Sequence, residues 1–310
     1  MSNSSRDIVK NKALDRSPDR VFFSVTAYVF VALFALVCLA PFILMVSGSF
    51  STQTYILRYG YTFWPRTFTT IAYDALLGDP IIMLNSFFVS VFVTFSGTAL
   101  MILVCSLAAY ALGRKEFKPR NKIAFIYFFT TLFHAGLVPY YFVMINYYGM
   151  RNNILALILP GVTSVWSIIM LRNFMKNNIP DSLIESAKID GAGELTVYAR
   201  IAMPLMVPSL MAIGFFAAIG YWNDWFSAML FMDRSDLWPL QYQLFRMLNQ
   251  INALAQIAAN APNLEIPRMD LPGETVKLAM AVIAAAPIIF LFGFIQKYFV
   301  KGITIGAVKG

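Results

Sequence analysis

The chain has 310 residues, of which 59% are hydrophobic and 13% charged, and its mean hydropathy is +0.65. A charged share about half that of an ordinary soluble domain excludes a free globular protein and points to a chain that crosses a membrane several times. The formal charge of +8 calls for no nucleic-acid partner, because the basic excess follows membrane topology, as shown below.

Residues 1–20 mix both charge signs with Ser, Asn and Pro and read as a polar tail or a short interfacial helix. The first uncharged run, residues 21–57, is longer than the roughly 20 residues that span a bilayer core. It continues well past Cys38, and Val37 is too bulky for a lipoprotein cleavage site, so it reads as an uncleaved span. Residues 51–80 carry aromatics and Pro without a long period. The second run, 81–113, contains Cys105. Thiols inside spans are usually small buried hydrophobes, so neither a disulfide framework nor a metal site is indicated.

The third run, 123–150, holds the single histidine, His134. With no carboxylate in its span it reads as an interhelical hydrogen-bonding group rather than a proton relay. Residues 152–171, 201–223 and 278–296 supply three more runs. Backbone groups at membrane depth must be paired internally, so all six should be α-helices. The predicted class is all-α, a polytopic membrane protein with six transmembrane helices.

Residues 172–200 are too many for a mere turn between two spans. Pro180 stops anything before it, Asp181 puts negative charge at a helix start, and Ser182 with Glu185 reads as a capping box. A helix is therefore predicted from about Leu183, with Leu183, Ile184 and Ala187 on one side. Gly191 can take the left-handed conformation that ends it. A second short helix is predicted from Glu194 to Ala202, before Pro204 and Pro208 disturb the entry to the fifth span. Such a helix, with small Ala187 permitting close approach, suits a groove on another protein. Spacing alone leaves open, and favours, a helix lying on the membrane surface with a solvated charged face.

After the fifth span, Trp222, Asn223, Asp224 and Trp225 combine aromatic faces with amide and carboxylate groups. An acidic residue beside a span is a functional candidate by default, although an aromatic belt with Asp224 at its watery end remains open. Asn85 and Trp166 are weaker candidates of the same kind. In the outer segment 231–276, Leu240, Leu244, Leu248, Ile251 and Leu254 form an apolar stripe too polar overall to cross a bilayer. It reads as an amphipathic helix on the membrane or the span ends, or as a platform for an external partner.

Six spans place both termini on one side, together with loops 114–122 and 172–200. That side holds 17 of the 24 basic residues and the other side 7, so both termini are predicted to be cytoplasmic. The acidic residues divide evenly, 8 and 8, leaving the inside at +9 and the outside at −1.

Glu185-Ser186-Ala187, then Asp190-Gly191-Ala192, then Ile201 and Pro204, resembles the EAA loop of ABC importer membrane subunits. That pattern is Glu-Ala-Ala, three residues, Gly, nine residues, Ile, any residue, Leu-Pro; Ser186 and Met203 are mild departures. The resemblance covers nearly the whole chain and is to maltose-permease-type carbohydrate permeases. Asn85-Ser86, Ala108 to Arg114, Leu157 to Pro160, Trp222-Asn223 and Tyr298 to Gly302 carry it. Gly220 to Phe226 and Trp238 to Gln241 resemble the branch for complex or polysaccharide-derived oligosaccharides.

The resemblance implies a cytoplasmic tail (1–20), a transmembrane permease domain (21–300) with coupling loop 173–204 and outer loop 231–276, and a cytoplasmic tail (301–310). It implies a second permease subunit, two ATPase subunits carrying ATP and Mg, an external solute-binding protein and an oligosaccharide cargo, at a bacterial plasma membrane. The helix at Glu185 to Gly191 would be the coupling helix, with Gly191 at its bend and Glu185 facing a basic group on the ATPase. Consistently, the chain lacks the G-x-x-x-x-G-K-[ST] cradle for ATP phosphates, so it should bind no cofactor and not be an enzyme by itself. The alternative is an ion-coupled secondary transporter, whose folds tend to show inverted repeats and interrupted helices; the two halves show no repeat.

Overall fold

The computed structural model describes residues 18–133, 135–260 and 273–307, with side chains as far as Gln296. The expectations for His134 and for residues 1–17 lie outside them. Among the described residues the fold is helical, with one isolated antiparallel bridge between Ser51 and Phe68.

Among the described residues four helices are long and apolar enough to cross a membrane: Val21–Ser49, Pro80–Gly113, Glu194–Trp222 and Glu274–Gln296. A fifth candidate is a bent pair, Leu155–Gly161 and Val165–Asn178, meeting at 45°. The third expected run departs from a single span: it forms a helix at Arg120–Thr130, then Leu137–Phe142 and a π-turn at Val143–Tyr147. Gly136, at φ +87°, restarts the backbone between them.

By internal contacts the chain forms two compact units. In the first (residues 1–75 and 272–282), α1 (Pro18–Ser49) leaves nearly all of its apolar length exposed, as suits a lipid-facing span. Its C-terminal end is fixed locally. Ser49 Oγ lies 2.8 Å from Tyr73 Oη, Phe50 stacks on Phe68 at 5.2 Å between ring centres, and α2 (Gln53–Tyr59) follows.

In the second unit (residues 76–271 and 283–310), α4 (Pro80–Gly113), reached after the short α3 (Ile71–Leu76), is the central element. At about 1.5 Å per residue its 34 residues outreach a hydrocarbon core of about 30 Å. The helices at Arg120–Thr130 (α5), Leu137–Phe142 (α6), Leu155–Ile158 (α7) and Val165–Asn178 (α8) follow, then α9 (Asp181–Ile189), α10 (Glu194–Val197) and α11 (Met203–Trp222). The core lies where α4, α8 and α11 meet, around Cys105, Ala109, Leu171, Met175 and Met206. Without a hydrophobic drive between helices in lipid, close packing needs small residues. Gly97 shows why: a Cβ there would fall 2.6 Å from the Tyr221 ring.

Two local expectations are corrected. Glu194 to Trp222 is one continuous helix in which Tyr198–Ala202 forms a π-turn. Wider hydrogen bonding just ahead of Pro204 accommodates a residue with no N–H, so the proline does not separate a second loop helix from the span. The capping box also does not form. Pro180, with ψ 137°, occupies the cap, no side chain bonds the first turn, and Ser182 already lies inside α9. The helix simply starts two residues earlier than the box required.

Beyond α11, α12 (Phe226–Phe231) leads to α13 (Leu240–Asn260), and α14 (Glu274–Ala307) ends the described chain. Of the expected stripe on α13, Leu240 and Leu244 are buried, Leu248 and Ile251 half-buried and Leu254 exposed. The helix is therefore seated at its start and runs out into the surroundings.

Candidate functional site

Two regions of the second unit carry the candidate residues: the loop around α9, and a cavity beside the break between α7 and α8.

In the loop, α9 closes with two reciprocal backbone bonds, Ala192 N to Ala187 O and Gly191 N to Lys188 O, both 3.0 Å. This Schellman closure needs a left-handed residue after the helix, and Gly191 supplies it at φ +85°. The inner face is anchored on the bundle. Ile184 is 1% exposed, and Ala187, Ala192 and Ile201 pack partly buried against the same core. Ala187 therefore braces the helix on its own chain. Ser182, Glu185, Ser186 and Ile189, spaced to share the opposite face, are all exposed, Ile189 at 86%. Asp190 caps the helix end and Pro204, exposed, follows the π-turn.

Polar braces the sequence did not single out lock this loop. Glu194 accepts from Lys188 Nζ at 2.5 Å and from Tyr110 Oη at 2.6 Å, which links α9, α10 and α4. Tyr198 Oη sits 2.7 Å from Ser106 Oγ. Lys115 Nζ lies 2.5 Å from Asp181 and, by hydrogen bonding to it, holds that carboxyl below its usual range. The only advance signal was Tyr110, which lies in one of the stretches carrying the family resemblance.

The cavity, about 490 Å³, is lined by Leu157, Pro160, Gly161, Ser164, Trp166 and Ser167 from the break. Tyr221, Asp224 and Ser227 line it from the other side. Pro160 cannot donate to the helix ladder, and carbonyls left open around the 3-10 turn at Leu159–Gly161 and the bend after it find partners on neighbouring helices. Tyr221 Oη donates to Ile158 O at 2.8 Å, and Cys105 Sγ to Val162 O at 3.5 Å. Cys105 is thus buried as expected and also serves as a weak donor. Irregular backbone at membrane depth is tolerated where it is packed in protein or lines a cavity.

Of the pathway candidates, the structure brings only Trp166 and Asp224 together on this cavity. Asp224 Oδ1 accepts from Ser227 N at 3.0 Å. Trp222 is 5% exposed, donates its indole N–H to Ala284 O at 3.0 Å and meets Phe87 edge-on. A buried indole N–H needs an acceptor, and this one finds it in α14, away from the cavity. Asn85 donates to Asp236 O at 2.7 Å, Asn223 accepts from Gln241 at 3.3 Å, and Trp225 stacks on Phe245 at 4.1 Å. Those three tie the segment 223–245 together rather than line the cavity. Sequence reasoning missed Tyr221, whose hydroxyl and ring close the break.

No family model matches the chain. It is 36% identical over 293 residues, 93% of this chain and 98% of the relative, to the polygalacturonan/rhamnogalacturonan transport system permease protein YtcP of Bacillus subtilis. It is 30% identical over 289 residues to the trehalose/maltose transport system permease protein MalG of Thermococcus litoralis, covering 90% and 94% of the two chains. Among solved structures it is similar to a bacterial ABC transporter that imports the acidic polysaccharide alginate, with TM-score 0.74, 30% identity, and 92% and 99% of the chains covered. Nothing in these likenesses supports an ion-coupled transporter. Such permeases act with a partner permease, an ATPase and a solute-binding protein, and are not themselves enzymes. The chain belongs to the maltose-permease-like family of ABC carbohydrate importers and is the permease subunit of an oligosaccharide importer.

Proposed function

We propose that the chain crosses a bacterial plasma membrane six times with both termini in the cytoplasm. It pairs with a second, different permease and is driven by two ATPase subunits that hold ATP and Mg. In this reading residues 1–20 and 301–310 are cytoplasmic tails around a permease domain at 21–300, and segment 231–276 meets the external solute-binding protein.

The single observation that carries the coupling role is the two-faced construction of α9. Its inner face is braced on the bundle and closed by a left-handed Gly191, while Glu185, Ser186 and Ile189 stand exposed. Those three meet the ATPase. Asp190, Gly191 and Ala192 form the bend, and Ala187, Ile201 and Pro204 transmit its displacement to the bundle. When the ATPase dimer closes, α9 moves as a body and the spans re-pack between inward-facing and outward-facing states. Trp166 and Asp224 line the pathway, while Asn85, Trp222, Asn223 and Trp225 hold its walls.

The cargo is an oligosaccharide from an acidic polysaccharide, a reading supported by relatives named for polygalacturonan and alginate. The test is ATP-driven uptake into vesicles holding the whole complex. Asp224→Asn should raise the KM for sugar while leaving basal ATP hydrolysis intact, and an unchanged KM removes Asp224 from the pathway.

A further inference from the structure

α13 buries one face through Leu240 and Leu244. A second face, at positions i, i+3, i+4, i+7 and i+8, presents Tyr242, Phe245, Arg246, Asn249 and Gln250. With Met229 of α12 these side chains bound a groove of about 360 Å³, within the size range of small-ligand sites.

The groove is held by aromatic scaffolding. Arg246 sits over Trp238, its Cζ 3.9 Å from the ring centre. Trp238 in turn spends its indole N–H on Met232 O at 3.1 Å and packs edge-on to Tyr242. Phe245 is fixed by its stack on Trp225. A guanidinium stacked on a ring keeps its N–H edge available for bidentate bonding to a carboxylate. Among the described residues no carboxylate takes that edge. Asp233 is paired with Arg151, Asp236 with Arg234, and Glu274 with Lys277.

We propose that this groove is a subsite for a uronate residue of an acidic oligosaccharide. Arg246 binds the sugar carboxylate, Tyr242 and Phe245 meet the ring's C–H face, and Asn249 and Gln250 bond its hydroxyls. The proposal rests on the importer reading above and assigns it a charge-selective site distinct from the cavity at Asp224.

The test uses the complete complex in lipid nanodiscs without the solute-binding protein, titrated with a short oligogalacturonate and with its methyl ester while tryptophan emission is followed. The wild type should bind the acid about tenfold more tightly than the ester. Arg246→Gln should bind the two alike at the ester's affinity, and Arg246→Lys should keep part of the preference. Equal binding of acid and ester by the wild type, or a preference that survives Arg246→Gln, overturns the subsite. So does an Arg246→Gln variant that loses uptake with its acid preference intact, which would make Arg246 a protein-docking residue. ATP-driven uptake by the same wild-type complex, reconstituted into sealed vesicles with its solute-binding protein, is read separately. Its absence would count against the importer reading, while the titration still decides the subsite.

Discussion

The loop around α9 and the break between α7 and α8 both interrupt helical structure, yet they satisfy their backbone in opposite ways. The loop closes on itself, with Ala192 and Gly191 returning to Ala187 and Lys188. The break borrows its partners, taking Tyr221 from α11 and Cys105 from α4. A self-closed element can move without losing its own bonds, whereas one that borrows partners changes shape only when the neighbouring helices shift. In the proposed coupling, the first would transmit displacement and the second would feel it.

The sharpest way to break this contrast is Gly191→Val. Beyond its chain neighbours no atom lies within 4 Å of a Cβ at Gly191, so the obstacle is the local backbone strain of a side chain at φ +85°. A left-handed β-branched residue costs about 1–2 kcal/mol or more. Uptake by the assembled complex should fall about tenfold, with Gly191→Asn, which tolerates that region, much milder. Normal uptake by the valine variant would show that the bend is dispensable.

On the borrowed side, Tyr221→Phe removes the hydroxyl on Ile158 O and should lower stability by about 1–3 kcal/mol. Thermal unfolding of the purified complex would show this as a lower midpoint. An unchanged midpoint would mean that the break does not need Tyr221. Next in size, Glu194→Gln weakens the joint between Lys188 and Tyr110 and should reduce uptake about threefold while ATP hydrolysis continues. Equal loss of both would point to misassembly instead.

The smallest effect concerns Lys115 and Asp181, an exposed pair. Because Lys115 depresses the Asp181 pKa, the pair stabilises the loop above the ordinary aspartate range. That contribution is lost only as pH falls below about 4. Hydrogen exchange in α9 should therefore be indifferent to Lys115→Ala-dependent pH effects between pH 6 and 8, and a titration there would contradict the assignment.

How much of this was legible beforehand depended on whether one residue type was forced. Gly191 was readable because few other residues close a helix in that way, and Pro180 because it must end what precedes it. Ser182 and Glu185 matched a capping pattern, but Pro180 took the cap and moved the register. In α11, apolar side chains surround the helix on every side, so no period distinguishes the face toward the cavity from the face toward α14. The break at Pro160 left no trace either, since a lone proline within an apolar run is compatible with an unbroken span whose carbonyls are satisfied elsewhere. The brace at Glu194 joins residues 84 apart from Tyr110, a separation that no local pattern encodes.

The most direct test of the account asks what touches the exposed face of α9. In a Cys38→Ser background, Ile189→Cys is labelled in native membranes with a short maleimide photo-cross-linker and irradiated, and the adducts are identified by mass spectrometry. A covalent link to a P-loop ATPase subunit is the predicted result. A thiol that a small maleimide labels readily, in a complex that still transports, but that never links to an ATPase would contradict it.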